Sequence, residues 1–377
     1  MSSFLADLPD SLPLSAVVLP GTHDTMAFYG YPVSQCQSPS CTLSTQLLMG
    51  VRVIDIRLSI IRSQLIAYHG IYPQRTPFST ILTSVNAFLT SPQGCRETIV
   101  MSIKQEDFAV NSYLAFSRLV KECMMANPGG WQEPVDGSGS KGMWFLENRV
   151  PKLGEVRGKV VLFSRFGGNG EGWERALEGM GIHPLVWPDS SKEGFEWMCK
   201  GTLVKTHDWY NIPSFLSIPE KVALSTRILI PKVHPDDSNL SRRTPHYSSV
   251  YTAPIPYQPP LAISFFSAAS FPLSLPPVIA RGFGWPKIGL GIEGVNSRVG
   301  RWLLGILGGD APVDLKVKQR RELDHEKDDR MISLEAPEPR IRGWVLLDYF
   351  DEPSGLVPLL VECNFRGRRP GDEGWPR

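Results

Sequence analysis

Eight short apolar runs, rich in β-branched residues, recur along the 377-residue chain: AVVLP (16–20), VRVIDIRL (51–58), QLIAYHG (64–70), TIVMSIKQE (98–106), KVVLFSRF (159–166), GTLVKTHDW (201–209), LAISFFSA (261–268) and GWVLLDYF (343–350). Between them, stretches such as 77–89 and 111–126 carry apolar residues at helical spacing. A parallel return needs a crossover, so strands that alternate with helices point to a parallel sheet. Eight such strands are what a closed β/α barrel requires, with an open doubly wound sheet as the competing architecture. The strand ends favour the barrel. His23-Asp24, Asp55 with Arg57, His69, Lys104 with Glu106, Arg165, His207-Asp208 and Asp348 all fall at or near them. A barrel assembles its active site from the carboxyl ends of several strands.

Composition excludes several classes. The 39 Lys and Arg against 38 Asp and Glu leave a net charge of +1, so there is no basic footprint for nucleic acid. The first residues, MSSFLADLPDSLPLS, lack a basic segment followed by an apolar core, and no run of 18 apolar residues occurs. The six cysteines are scattered rather than framed in pairs, although Cys36 and Cys41 lie near enough to bridge. They read as reduced thiols of a cytoplasmic protein. Residues 228–260 and 310–341 break the alternation as irregular insertions, and 366–377 reads as a disordered tail.

Among isolated motifs, Gly289-Leu-Gly-Ile-Glu-Gly294 has dinucleotide-loop spacing without a full strand before it, and no cofactor is expected. His183, His234, His246 and His325 lie in turn-like or charged surroundings that suit exposed histidines. His23 in PGTHD and His69 in YHG differ, because each ends a strand beside a glycine turn. Two such imidazoles with an arginine from an intervening strand end suit a reaction with two proton transfers and a developing anion. Phosphodiester cleavage by an internal hydroxyl needs those parts.

In order, PGTHD, VIDIR, YHG, TIVMSIKQE, GKVVLFSR, HDWY and GWVLLDYF resemble the catalytic domain of phosphatidylinositol-specific phospholipase C, most closely its bacterial-type and fungal relatives. The resemblance covers roughly residues 8–365 and implies one α/β domain, a distorted TIM barrel carrying the irregular insertions. It casts His23 as general base, Asp348 as its carboxylate partner, His69 as general acid assisted by Asp24, and Arg57 as the cation at the phosphoryl oxygens. It casts Lys104, Arg165, Asp208 and Tyr210 as contacts to the inositol ring. Arg57 stands where metal-dependent members hold calcium, so a metal-independent site is expected. The implied products are diacylglycerol and inositol 1,2-cyclic phosphate, formed during transient attachment to a membrane surface. Phe265, Phe266, Trp209 and Trp285 are candidates for a membrane-facing rim, with core packing the favoured reading of each. A different lipid head group, or a catalytically silent binding barrel, are the alternatives.

Overall fold

A computed structural model describes residues 1–132, 142–167, 180–231, 258–270, 272–284, 291–308 and 341–366. His234, His246, His325, Trp285, the tail, most of both irregular insertions and the first part of the 289–294 glycine motif lie outside the described residues. The strands are β1 (Val18–Thr22), β2 (Val53–Ile61), β3 (Gln64–His69), β4 (Tyr72–Pro77), β5 (Thr98–Gln105), β6 (Trp144–Phe145), β7 (Lys159–Arg165), β8 (Ser191–Cys199), β9 (Thr202–Asp208), β10 (Leu261–Phe265), β11 (Gly282–Phe283), β12 (Ile292–Glu293) and β13 (Gly343–Leu347). Helices are α1 (Leu43–Leu48), α2 (Phe78–Leu89), α3 (Tyr113–Ala126), α4 (Ile218–Arg227), α5 (Pro276–Arg281), α6 (Val295–Gly308) and α7 (Leu356–Glu362). None of the described helices is long and apolar enough to cross a membrane.

The wall of the barrel runs β6-β7-β5-β2-β1-β13-β10-β9, every neighbouring pair parallel, with β8 added antiparallel to β9. Strands β1, β5, β7, β10 and β13 are buried on both faces, which is why they read as continuous apolar runs rather than alternating ones. The expected α/β barrel is therefore present, and its distortion has a definite place. The eighth position is split. Trp144 and Phe145 pair with the lower part of β7, and Ile182 pairs with Phe163 nearer the mouth. Beyond it the hydrogen bonding lapses, and Trp187 covers the opening by packing its ring against Phe163 and Phe195.

One expected strand is placed differently. QLIAYHG forms β3, which pairs antiparallel with β2 and then β4, outside the parallel wall. Only Arg62 and Ser63 separate β2 from β3, both at positive φ (49° and 63°), the conformation of a two-residue hairpin. Two residues cannot make a parallel crossover.

The PGTHD segment also differs in detail. Pro20 and Gly21 lie within β1 rather than in a turn. Glycine is needed at 21 for close approach, because a Cβ there would sit 2.8 Å from the Val53 Cβ and 2.9 Å from the Val53 carbonyl oxygen. The chain turns only after β1, at Asp24, whose φ of 47° an aspartate tolerates better than most residues.

At the opposite end of the barrel, Arg52 and Glu97 form a fully buried ion pair of 2.8 Å just before β2 and β5. Arg52 also donates to the carbonyls of Leu47, Val51 and Ser2, and Glu97 accepts from the backbone of Leu5 and Ala6. The N-terminal segment is thereby tied beneath the barrel floor.

Candidate active site

The carboxyl ends of the parallel strands open into a pocket of about 800 Å³, lined by His23, Arg57, His69, Lys104, Arg165, Asp208, Tyr210 and Asp348 among others. Asp24 lies directly beneath it, 3.2 Å from Arg57 and 3.6 Å from His69. All nine residues singled out from the sequence are thus brought together. His207 is not among them. It is buried and held by Lys192 O and Ser225 Oγ, where burial lowers its pKa to about 3. His183, expected to be exposed, is also buried, with Nδ1 2.7 Å from the Ser164 carbonyl and its pKa lowered to about 4 by burial.

His23 follows β1 directly, and its backbone N–H donates to Leu347 O of β13. That bond places it against Asp348, which follows β13. Nδ1 lies 2.8 Å from Asp348 Oδ1, and Nε2 lies 2.6 Å from an Arg57 guanidinium nitrogen. A guanidinium can only donate, so Nε2 is the acceptor and the ring proton sits on Nδ1, facing Asp348. Burial, and then Arg57, hold the imidazole well below its ordinary pKa. Nε2 therefore keeps its lone pair at neutral pH. The proton between His23 and Asp348 belongs to the pair rather than to either member.

His69 ends β3 and presents its ring edge-on to that of His23, the centroids 6.3 Å apart. Its Nδ1 donates to Ser34 O at 2.8 Å, leaving Nε2 toward Asp24. Arg57, from β2, meets Asp24 at 3.2 Å, Asp55 at 3.1 Å and Glu106 at 3.6 Å. Burial opposes its charge, but the three carboxylates outweigh burial and fix the guanidinium as a permanent cation. Burial would likewise raise Asp55, yet Arg57, Arg165 and the Ser102 hydroxyl hold it well below the usual carboxylate range.

On the far side of the pocket, Arg165 meets Asp55 at 3.3 Å and Asp208 at 3.8 Å and lies 3.9 Å above the Trp187 ring. The Trp187 indole N–H donates to Asp208 at 2.9 Å. Lys104 pairs with Glu106 at 2.8 Å, and Tyr210 hydrogen-bonds Asp189 through its hydroxyl. The sequence reading missed Trp187, Asp189 and Cys36 as parts of this site, and left Glu106 and Asp55 without roles. The last two carried a signal, their place at strand ends. Trp187 and Asp189 sit in the irregular segment HPLVWPD, which shows no periodicity.

Among the described residues, two overlapping sets could grip a metal: His23, Cys36 and Asp348, and Asp24, Cys36 and His69, with ligand atoms within 4.8 Å of one another in each set. The donor chemistry fits a hard cation poorly. Each set includes a thiol that burial keeps protonated, and Arg57 stands against both.

The fold is that of the phosphatidylinositol-specific phospholipases C. Among solved structures, a pentafluoro-Phe form of the Staphylococcus aureus enzyme matches with a TM-score of 0.61 at 17% identity, covering 96% of this chain and 97% of that one. The Listeria monocytogenes enzyme matches with a TM-score of 0.53 at 18% identity, covering 96% and 98%. In sequence, the chain is 31% identical over 172 residues to a 1-phosphatidylinositol phosphodiesterase of Listeria monocytogenes, covering 43% of this chain and 48% of that protein. It is 29% identical over 195 residues to one of Staphylococcus aureus (strain Newman), covering 50% and 58%. The chain matches about half the length of these curated relatives. No family model matches. The resemblance read from the motifs is borne out by these relatives.

Proposed function

We propose that this chain is a phosphodiesterase that cleaves phosphatidylinositol-type lipids, releasing diacylglycerol and inositol 1,2-cyclic phosphate. The observation that carries this is two imidazoles 6.3 Å apart, His23 paired with Asp348 and His69 beside Asp24, with Arg57 reaching both His23 and Asp24. The curated relatives' name and the shared fold point the same way.

His23 Nε2 takes the proton of the ring 2-hydroxyl as that oxygen attacks phosphorus. Asp348 holds Nδ1–H and stabilises the imidazolium that forms. Arg57 leaves His23 for the non-bridging phosphoryl oxygens, a planar donor that matches their geometry. His69, held by Asp24, gives a proton to the departing diacylglycerol oxygen. In a second step the histidines exchange roles, and water opens the cyclic ester. The fixed guanidinium supplies the charge that calcium supplies elsewhere, so turnover needs no metal. Lys104, Arg165 and Asp208 offer hydrogen bonds to the ring hydroxyls, and Tyr210 offers a flat face for the ring.

The membrane-facing rim is assigned to new residues. Phe265, Phe266 and Trp209 are buried in the core, whereas Phe108, Leu185 and Val186 are exposed at the pocket mouth, with Ile71 and Val110 also exposed in loops at strand ends. These side chains suit shallow insertion into a bilayer surface. Six cysteines without a disulfide suit a reducing, cytoplasmic setting.

The test is release of diacylglycerol from vesicles of phosphatidylinositol or of phosphatidylcholine, in EDTA and then in calcium. Turnover of the inositol lipid alone, at equal rates in both buffers, supports the reading. Turnover only with calcium would mean that Arg57 does not replace the metal, and turnover of the choline lipid moves the substrate assignment.

A further inference from the structure

The supports of the two histidines converge on one side chain that the proposed proton transfers do not use. Cys36 is fully buried in the loop from Ser34 to Gln37. Its sulfur lies within 4.8 Å of the His23 ring and the Asp348 carboxylate, and 3.6 Å from His69 Nδ1. The rest of the loop grips the same groups. Ser34 O accepts from His69 Nδ1, and Gln37 Nε2 donates to the carbonyls of His23 and Leu347 at 2.7 Å and 3.0 Å. Tyr349, next to Asp348, donates from its backbone to Cys36 O and from its hydroxyl to Gln35 O.

A thiophilic cation could meet Cys36 together with a histidine and a carboxylate, but the thiol would first have to ionise. Burial opposes that, as do the Asp348 and Asp24 carboxylates beside it. The group instead remains an S–H donor.

We propose that Cys36 is a positioning residue for both histidines, donating its S–H to Asp348 behind His23 while its sulfur packs against the Nδ1 side of His69. The inference rests on the histidine chemistry of the proposed function. Asp348 is buried and pairs with His23 at 2.8 Å, and the Cys36 S–H beside it is the group placed to supply a second donor. The same loop fixes the ring proton of His69 on Nδ1. One small segment thus keeps both imidazoles with a proton on Nδ1.

The charged groups facing this thiol and carboxylate are Asp24 and Arg57 from the strand ends and Lys221 from α4. His23 additionally faces His69, Asp55 and Arg165. All of them are unchanged in a Cys36 variant, so a change in titration isolates the thiol.

Removing the donor makes Asp348 more basic, and the His23–Asp348 pair then takes up a proton at higher pH. In Cys36→Ala the acid limb of kcat/KM moves up by roughly half a unit to one unit. Cys36→Ser keeps an O–H donor and returns the limb toward its original place. The imidazole ¹⁵N titration of His23, read by NMR on the same proteins, shifts in Cys36→Ala and recovers in Cys36→Ser. If the limb and the His23 titration stay in place in Cys36→Ala, or if serine fails to restore them, the positioning role is overturned. If the unaltered protein turns over no phosphodiester, the proposed function fails, and the His23 titration still decides the role of Cys36.

Discussion

The two ends of the barrel each bury an arginine among carboxylates, and they solve the problem differently. At the floor, Arg52 meets one partner, Glu97, and spends its other donors on the carbonyls of Leu47, Val51 and Ser2. At the mouth, Arg57 meets three carboxylates and an imidazole and lines an open pocket. The floor cluster is matched one to one and closed to solvent. The mouth cluster holds surplus negative charge around a cation, for which the proposed phosphodiester substrate would compete. Buried polar groups matched within the protein set structure, whereas groups left with capacity to spare are available for chemistry. Asp24 Oδ2 and Arg165 Nε, both at the mouth, lack a well-formed hydrogen bond among the described residues.

Substitutions should separate the ends. The largest effect is expected for Arg57→Lys, which keeps a charge but loses the planar fork that spans two phosphoryl oxygens. Turnover should fall roughly 10²–10³-fold with the melting temperature little changed. A loss of folding in place of activity would erase the contrast. Glu97→Gln should do the reverse. Leaving Arg52 buried without its counter-charge costs about 3–5 kcal/mol, read by chemical denaturation, while kcat of the folded fraction stays within about twofold. A large drop in kcat there would mean that the floor takes part in catalysis.

The pH dependence of stability sharpens the same contrast, because His23, His183 and His207 are all buried and all depressed. Each is neutral when folded but takes a proton when unfolded below about pH 6.5. Stability is therefore full above that value and declines as pH falls. Each histidine contributes up to about 1.4 kcal/mol per pH unit, His183 down to about pH 4 and His207 down to about pH 3. His207→Gln should flatten the decline by nearly one proton in denaturation midpoints measured across this range, and an unchanged slope would contradict its buried neutral state. The smallest effect is expected at the outermost edge of the mouth. Val186→Glu should weaken binding to inositol-lipid vesicles by about tenfold and leave turnover of a short, monomeric inositol phosphodiester unchanged. Equal loss on both substrates would place Val186 in catalysis rather than at the membrane.

What the sequence made legible follows from how each residue does its work. The parallel wall was readable because strands buried on both faces must be apolar throughout, and seven of the eight expected runs lie in it. His23, Arg57 and Asp348 were readable because a barrel places its chemistry at strand ends. QLIAYHG misled because its apolar content is that of any strand, and the turn before it, Arg62-Ser63, lacks the glycine or asparagine that usually marks a tight hairpin. Cys36 was opaque because its proposed role depends on its nearness to Asp348, far away along the chain. Lys221 was equally silent. It lies fully buried on α4 with no hydrogen-bond partner among the described residues, and burial lowers its pKa to about 7.

The most direct measurement is a phosphorus NMR time course of the protein with phosphatidylinositol micelles in EDTA, run beside His23→Ala. A transient five-membered cyclic phosphate signal is expected, followed by inositol phosphate, with both lost in the variant. Direct formation of inositol phosphate without the cyclic species, or an undiminished signal from His23→Ala, would rule out the two-histidine mechanism.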